Sequence, residues 1–246
     1  MFYWMCKHIL IGPWIKLLFW PKVEGLENIP TSGPAILASN HLSFSDSIFL
    51  PAMIARKVTF PAKAEYFTSP GFKGFLMKLF FTAVGQVPID RASGSAAKSA
   101  LATLERILAE GDIVGIYPEG TRSPDGRLYR GKTGVARLAL HTGAVVVPCA
   151  MINTHEIQPT GTIVPKFGRR VRMKIGRPLD FSRYEGLAGD RFVERSMTDE
   201  IMYELMELSG QEYVDVYAAK VKAQAVGAAP DPAPDPAPAP SGAAAA

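Results

Sequence analysis

Short, almost continuous apolar runs alternating with helical patterns predict an α/β domain. Its sheet is largely parallel and flanked by helices, with an apolar helical membrane-associating segment in front. Three observations carry this. The runs AILAS (35–39), VTFPA (58–62), AVGQVPI (83–89), DIVGIYP (112–118) and AVVVPCAMI (144–152) read as strands buried on both faces. Helical patterns fill the gaps at 46–55, 71–80, 94–110 and 132–142. With 246 residues, 48% of them apolar, the chain can build one well-buried core.

The elements follow in order. Residues 1–20, MFYWMCKHILIGPWIKLLFW, hold all three Trp. They lack the basic start and small-residue cleavage site of a secretory signal. Lys7, His8, Pro13 and Lys16 break the run too often for a spanning helix, which needs about 20 apolar residues. Aromatics with scattered Lys suit the headgroup level of a bilayer, so a helix pair kinked near Gly12–Pro13 is expected to lie in the interface. In GFKGFLMKLFF (71–81), Phe72, Phe75, Leu76, Leu79 and Phe80 recur at helical spacing. Either core packing or a lipid-facing surface explains that stripe.

The first strand runs into ASNHLSFSDSIFL (38–50). His41 and Asp46 are five residues apart, which in a regular helix is roughly 140° around the axis, too far to meet. Ser43 reads as an N-cap, with Asp46 in the first turn of the following helix. That leaves His41 in the loop, where Asp46 can reach back and fix its tautomer. Alternatively Asp46 is only a capping acid. A second strand ends at VPIDR (87–91), delivering Arg91, and a third at YPEGTRSPDG (117–126), delivering Glu119, Gly120, Thr121 and Arg122. An Arg fork suits phosphate. These are the carboxyl ends of strands, the edge where open α/β sheets bind ligands.

GRLYRGKT (126–133) matches the phosphate-loop pattern Gly-x-x-x-x-Gly-Lys-Thr. Its context does not. RSPD precedes it instead of a buried strand, Leu128 and Tyr129 are bulky inside it, and no later strand supplies a magnesium-organising Asp. Lys132 opens the next helix and points either to a phosphate pocket or to solvent.

Farther on, VRMKIG (171–176) alternates apolar and basic residues, giving a strand with one basic face. Residues 190–209 and 211–225 read as helices. The tail, 227–246, is Ala, Pro, Gly, Ser and Asp only and is expected to be disordered. The domain proper is then 21–226.

The formal charge is +4. It suits an anionic partner or plain solubility. The basic run at 165–177 has only Phe167 among its charges, so it fits a membrane surface as well as nucleic acid, and no nucleic-acid partner is expected. Two cysteines, Cys6 and Cys149, are too few for a disulfide framework and fit a reducing compartment. No Cys/His cluster has zinc spacing.

NHLSFSD, VPIDR, YPEGTRS and VVPCAM, in this order, resemble the four sequence blocks of the glycerolipid acyltransferases, in particular the 1-acyl-sn-glycerol-3-phosphate (lysophosphatidate) acyltransferases. KVEGLENIP (22–30) and PAKAEYF (61–67) resemble the stretches between those blocks, so the likeness covers about residues 20–180. Tyr117 stands where the family often has Phe, and Cys149–Ala150 where it has small or β-branched residues. The resemblance implies transfer of an acyl chain from an acyl-CoA or acyl-carrier-protein thioester to lysophosphatidate in phospholipid biosynthesis. Glycerol 3-phosphate and other lysophospholipids are alternative acceptors.

On this reading His41 is the general base and Asp46 its orienter. Arg91, Arg122 and Lys63 hold the acceptor phosphate, and Glu119, with Gly120 and Thr121, supports that site. No Gly-x-Ser-x-Gly elbow indicates an acyl-enzyme. No metal or cofactor is expected beyond the thioester co-substrate. The expected partners are a phospholipid bilayer, the lysophospholipid and the acyl donor. The expected location is the cytoplasmic face of a cell membrane, peripheral or monotopic. An inactive membrane-binding homologue is the reading from another class, against which the intact His41, Asp46, Glu119 and Arg122 argue.

Overall fold

The computed structural model describes residues 2–89, 96–162 and 164–227. The side chains of Phe2, Ala96–Lys98 and residues 226–227 lie outside the described set, as do Arg91 and the Ala/Pro-rich stretch beyond Gly227.

Seven strands form one sheet in the order β1-β8-β7-β2-β5-β3-β4. They are β1 Lys22–Glu24, β2 Ala35–Ser39, β3 Val58–Lys63, β4 Gln86–Ile89, β5 Ile113–Ile116, β7 Val145–Ile152 and β8 Arg172–Ile175. A separate two-stranded pair joins β6 Leu128–Tyr129 to β9 Tyr213–Val214. Every pairing in the large sheet is parallel except β7 with β8. The sheet is therefore largely parallel, as the continuous apolar runs require.

The helices are α1 Phe2–Met5, α2 Gly12–Phe19, α3 Asp46–Met53, α4 Glu65–Thr68, α5 Gly71–Ala83, α6 Ala96–Ala109, α7 Gly134–Thr142, α8 Thr154–Ile157, α9 Arg191–Ser209 and α10 Ala218–Gly227. The central strands sort their side chains by the two-residue period. Ala35, Leu37, Ile113, Val147, Cys149 and Met151 enter the core on the face covered by α2 and α3. Ile36, Ala38, Val114 and Val146 enter the opposite core with residues of α6, α7 and α9. The long helix α9 contributes Met197, Ile201, Met202 and Leu205 to that core, one apolar stripe at helical spacing. Its start is capped by Asp190, whose carboxylate accepts from the N–H groups of Phe192 and Val193.

Three readings change. The N-terminal segment is helical, but α1 and α2 are joined by a π-helix at Cys6–Ile11, not by a simple kink. Lys7 on that π-helix is buried and donates to the carbonyl oxygens of Ile54, Ala55 and Arg56, just past α3. The stretch 211–225 is not one helix: Tyr213–Val214 form β9, and α10 begins only at Ala218. Within GRLYRGKT, Leu128 and Tyr129 form buried β6, a strand not expected there, and like the sequence context this sets the stretch apart from a loop wrapped around phosphate.

Among the described residues no helix is long and apolar enough to cross a membrane. The interfacial expectation instead rests on exposure. Trp4, Ile9, Leu10, Trp14, Leu17 and Trp20 are exposed at the N-terminal segment. On α5, which packs against α1, Phe72 is 77% and Phe75 60% exposed. The α5 stripe is thus a surface and not a core seam.

Candidate active site

The site lies at the carboxyl ends of β2 and β5, adjacent in the sheet through the Ala35–Ala38 and Ile113–Ile116 register. The strand β2 ends at Ser39, and Asn40 anchors the turn. Its side-chain amide donates to the Met151 carbonyl at 2.9 Å while its Oδ1 accepts from Met151 N–H at 2.7 Å. His41 follows in the loop.

Asp46 is the first residue of α3 and is fully buried. Its Oδ2 accepts from His41 Nδ1 at 3.1 Å and from the backbone N–H groups of Leu42 and Ser43, each at 2.7 Å. Its Oδ1 accepts from the Thr154 hydroxyl at 2.5 Å. A buried carboxylate needs such donors, and four converge here. The helix starts two residues later than expected, with Ser45 at the N-cap position and no cap bond from its side chain. The Ser43 hydroxyl accepts from Ser45 N–H at 3.3 Å and donates to the carbonyl oxygen of Gln158. Asp46 closes the turn instead, by reaching back to two N–H groups.

His41 is 16% exposed at its side chain. Tyr117 stacks on its ring, centroids 3.8 Å apart and planes 9° apart. Phe60 in turn stacks on Tyr117 at 5.1 Å. Phe60 fits there because residue 115 is Gly: a Cβ on it would lie 2.1 Å from the Phe60 ring. The Tyr117 hydroxyl shares a 2.9 Å hydrogen bond with Ser47, and burial holds its phenol well above its ordinary pKa. With Nδ1 committed to Asp46, Nε2 is left for chemistry in the cleft.

Glu119 does not line the cleft. It is 1% exposed, and its two oxygens accept from the N–H groups of His41 at 3.1 Å and Tyr129 at 2.9 Å. Ser123 N–H adds a 2.7 Å bond to the His41 carbonyl oxygen. Glu119 therefore ties the His41 loop to β6 by main-chain bonds. Burial raises its pKa from 4.5 to about 7 against the pull of those two N–H groups. A raised acid pKa means the folded state binds more protons than the unfolded one between pH 4.5 and 7, so stability falls as pH rises through that window. The cost corresponds to about 3 kcal/mol. Urea unfolding at pH 5 and pH 8 should show this decline in the native protein. Glu119→Gln should lose most of the slope while being less stable at pH 5, since an amide cannot accept from both N–H groups.

The cleft, about 290 Å³, brings His41 and Tyr117 together with Lys63, Gly120, Thr121 and Arg122. Gly120 adopts φ +72°, open to glycine at no steric cost, and the Lys132 side chain packs where a Cβ would stand. Lys132 thus runs beside the cleft, and its N–H bonds the Pro118 carbonyl oxygen. Phe44, Tyr66 and Phe81 form an apolar wall, with the Tyr66 and Phe81 rings stacked at 4.5 Å. Of the residues expected at the site, His41, Lys63, Gly120, Thr121 and Arg122 line one cleft, Asp46 and Glu119 support it from beneath, and Arg91 lies outside the described residues.

Sequence reasoning missed the second layer. Thr154 and Gln158 stand in and just after α8, introduced by Asn153 in a left-handed turn (φ 56°). Gln158 Oε1 accepts from Ser45 N–H at 3.0 Å. Gln211 accepts from Asn40 at 2.6 Å and donates to the Gly126 carbonyl oxygen at 2.6 Å. The one local signal was that polar Thr154 and Gln158 follow directly on a buried strand.

A family model described as Acyltransferase matches residues 21–152. The chain is 33% identical over 188 residues to a chloroplastic 1-acyl-sn-glycerol-3-phosphate acyltransferase of Arabidopsis thaliana, covering 74% of this chain and 51% of that one. It is 29% identical over 192 residues to the 1-acyl-sn-glycerol-3-phosphate acyltransferase of Bacillus subtilis, covering 77% and 88%. The crystal structure of the 1-acyl-sn-glycerophosphate (LPA) acyltransferase PlsC from Thermotoga maritima superposes with a TM-score of 0.57 at 26% identity, covering 81% of this chain and 76% of that one. The chain spans about half the length of its plant relatives. The matched segment holds β1 through β7 and, with them, His41, Asp46, Lys63 and the Glu119–Arg122 loop, and the chain belongs to the acyltransferase family.

Proposed function

We propose that this protein transfers a fatty acyl chain from an acyl thioester to the free hydroxyl of lysophosphatidate, giving phosphatidate. The observation that carries this is that His41, held by Asp46, lines one cleft together with Lys63 and Arg122. A base and phosphate-binding cations in one cleft suit an acceptor that carries both a hydroxyl and a phosphate.

His41 Nε2 takes the acceptor hydroxyl proton as the oxygen attacks the thioester carbonyl. Asp46 stabilises the imidazolium that forms, as its fixed bond to Nδ1 allows. Collapse of the tetrahedral intermediate breaks the carbon–sulfur bond, and the leaving thiolate takes the proton from His41. Lys63 and Arg122 bind the acceptor phosphate, with Arg91 as a further cation by its family position. The Phe44, Tyr66 and Phe81 wall offers an apolar surface to the acyl chain. The exposed aromatic faces of α1, α2 and α5 rest in one leaflet of a bilayer, on the cytoplasmic side, and bring the cleft to membrane-borne substrate. Acyl-CoA and acyl carrier protein are both donors consistent with this site.

Purified protein with labelled acyl-CoA and a panel of lysophosphatidate, glycerol 3-phosphate and lysophosphatidylinositol tests the reading. Lysophosphatidate should be the preferred acceptor, and preference for either of the others would replace it. In the same assay Arg122→Ala should raise the lysophosphatidate KM by roughly 10- to 100-fold, the equivalent of a charge-assisted hydrogen bond. A rise confined to the acyl-CoA KM would move Arg122 to the donor side.

A further inference from the structure

The helix α10 lies beyond the matched segment, yet one of its side chains reaches the Thr121–Arg122 loop that lines the cleft. Lys222 Nζ donates to the Thr121 hydroxyl at 3.0 Å and to the Arg122 carbonyl oxygen. We propose that Lys222 is a positioning residue of the phosphate-binding loop, holding Thr121 and Arg122 in place and setting a second positive charge beside Arg122 for the acceptor phosphate. This rests on the acyl-transfer reading above.

The route by which Lys222 arrives is built into the fold. β9 pairs with β6, Leu128 against Tyr213 and Tyr129 against Val214. Arg130 N–H then bonds the carbonyl oxygens of Val214 and Val216, and the Arg130 guanidinium lies 5.6 Å from the Tyr217 ring. Ala218, the first residue of α10, is fully buried. The C-terminal arm is therefore fastened to β6, the strand whose Tyr129 N–H holds Glu119. Four residues after Ala218, one helical turn on, Lys222 meets the loop.

A neutral side chain could pack at this place at lower cost. Burial and the nearby Arg122 charge both lower the Lys222 pKa, with buried Glu119 opposing them more weakly. Two cations held on one short loop repel, and an arriving phosphate relieves that repulsion. An ammonium has three donors, and the loop takes two of them.

Lys222→Met keeps the apolar stem and removes the charge, while Lys222→Arg keeps the charge. The expected result for Lys222→Met is a roughly 10-fold rise in lysophosphatidate KM, with kcat and acyl-CoA KM within about twofold of the native values. Lys222→Arg should recover most of the loss. An unchanged lysophosphatidate KM overturns the proposal, and so does a parallel rise of both KM values with a drop in Tm. Calorimetric titration with sn-glycerol 3-phosphate separates this from the choice of acceptor. Native protein that binds it about 10-fold more tightly than Lys222→Met supports the role even if lysophosphatidate proves a poor substrate. Equal binding, or no binding by the native protein, overturns it.

Discussion

His41→Ala is expected to abolish measurable acyl transfer while leaving the protein folded. A positioned general base contributes roughly 10²- to 10⁴-fold in rate, and among the described residues no second His or carboxylate lines the cleft. Of the other polar groups lining it, Lys63 and Arg122 are cations, and Tyr117 keeps its proton because burial holds its pKa high. The fold survives because the loop is held by its backbone. His41 N–H bonds Glu119, and the His41 carbonyl oxygen accepts from Ser123 N–H, bonds that alanine keeps. What is lost in stability is the stack on Tyr117 and the bond to Asp46, about 1 kcal/mol each, or a few degrees in Tm for a domain of this size. The decisive comparison is turnover with saturating lysophosphatidate and acyl-CoA, beside a thermal unfolding curve. A variant within tenfold of native turnover would remove His41 from the chemistry.

The residues that could be read from sequence and those that could not differ in how they are held. Central strands were legible because a strand buried on both faces must be apolar throughout, and AILAS and AVVVPCAMI are. His41 and Asp46 were legible because they sit on the same loop, five residues apart, and the helix start fixes their approach. β1 was not, since KVE is three residues at a sheet edge with one half-buried side chain. β6 was hidden inside a phosphate-loop pattern, and β9 inside a helical one, because each is two residues long and is strand only by pairing with the other. The support for Asp46 from Thr154 spans 108 residues, and that for the Arg122 loop from Lys222 spans 100. Such contacts follow from topology and leave no local period. Glu119 was legible as a site residue but not in its role: nothing in YPEGTRS says that the carboxylate turns inward to two N–H groups.

Asp46→Asn should separate the two jobs of that carboxylate. Its geometric job is to accept four hydrogen bonds, three at Oδ2 and one at Oδ1. An amide can do nearly all of this. Its oxygen can take the place of Oδ2 and accept from His41 Nδ1, Leu42 N–H and Ser43 N–H. Its NH₂ then faces Thr154, whose hydroxyl rotates from donor to acceptor. The loop should therefore hold, with a stability loss of no more than about 1–2 kcal/mol. The electrostatic job is the one an amide cannot do. When His41 takes the acceptor proton, a full positive charge forms about one hydrogen-bond length from a fully buried group, where interactions are little screened. Without the negative charge that imidazolium is unsupported, and kcat should fall roughly 10²- to 10⁴-fold. Both KM values should stay near native, because Asp46 is fully buried and does not line the cleft. Steady-state kinetics over both substrates, together with urea unfolding, distinguishes the outcomes. Loss of rate with intact stability assigns Asp46 to the charge that forms in the transition state. Loss of stability in proportion to rate would make it a capping residue of α3 and leave His41 to work alone.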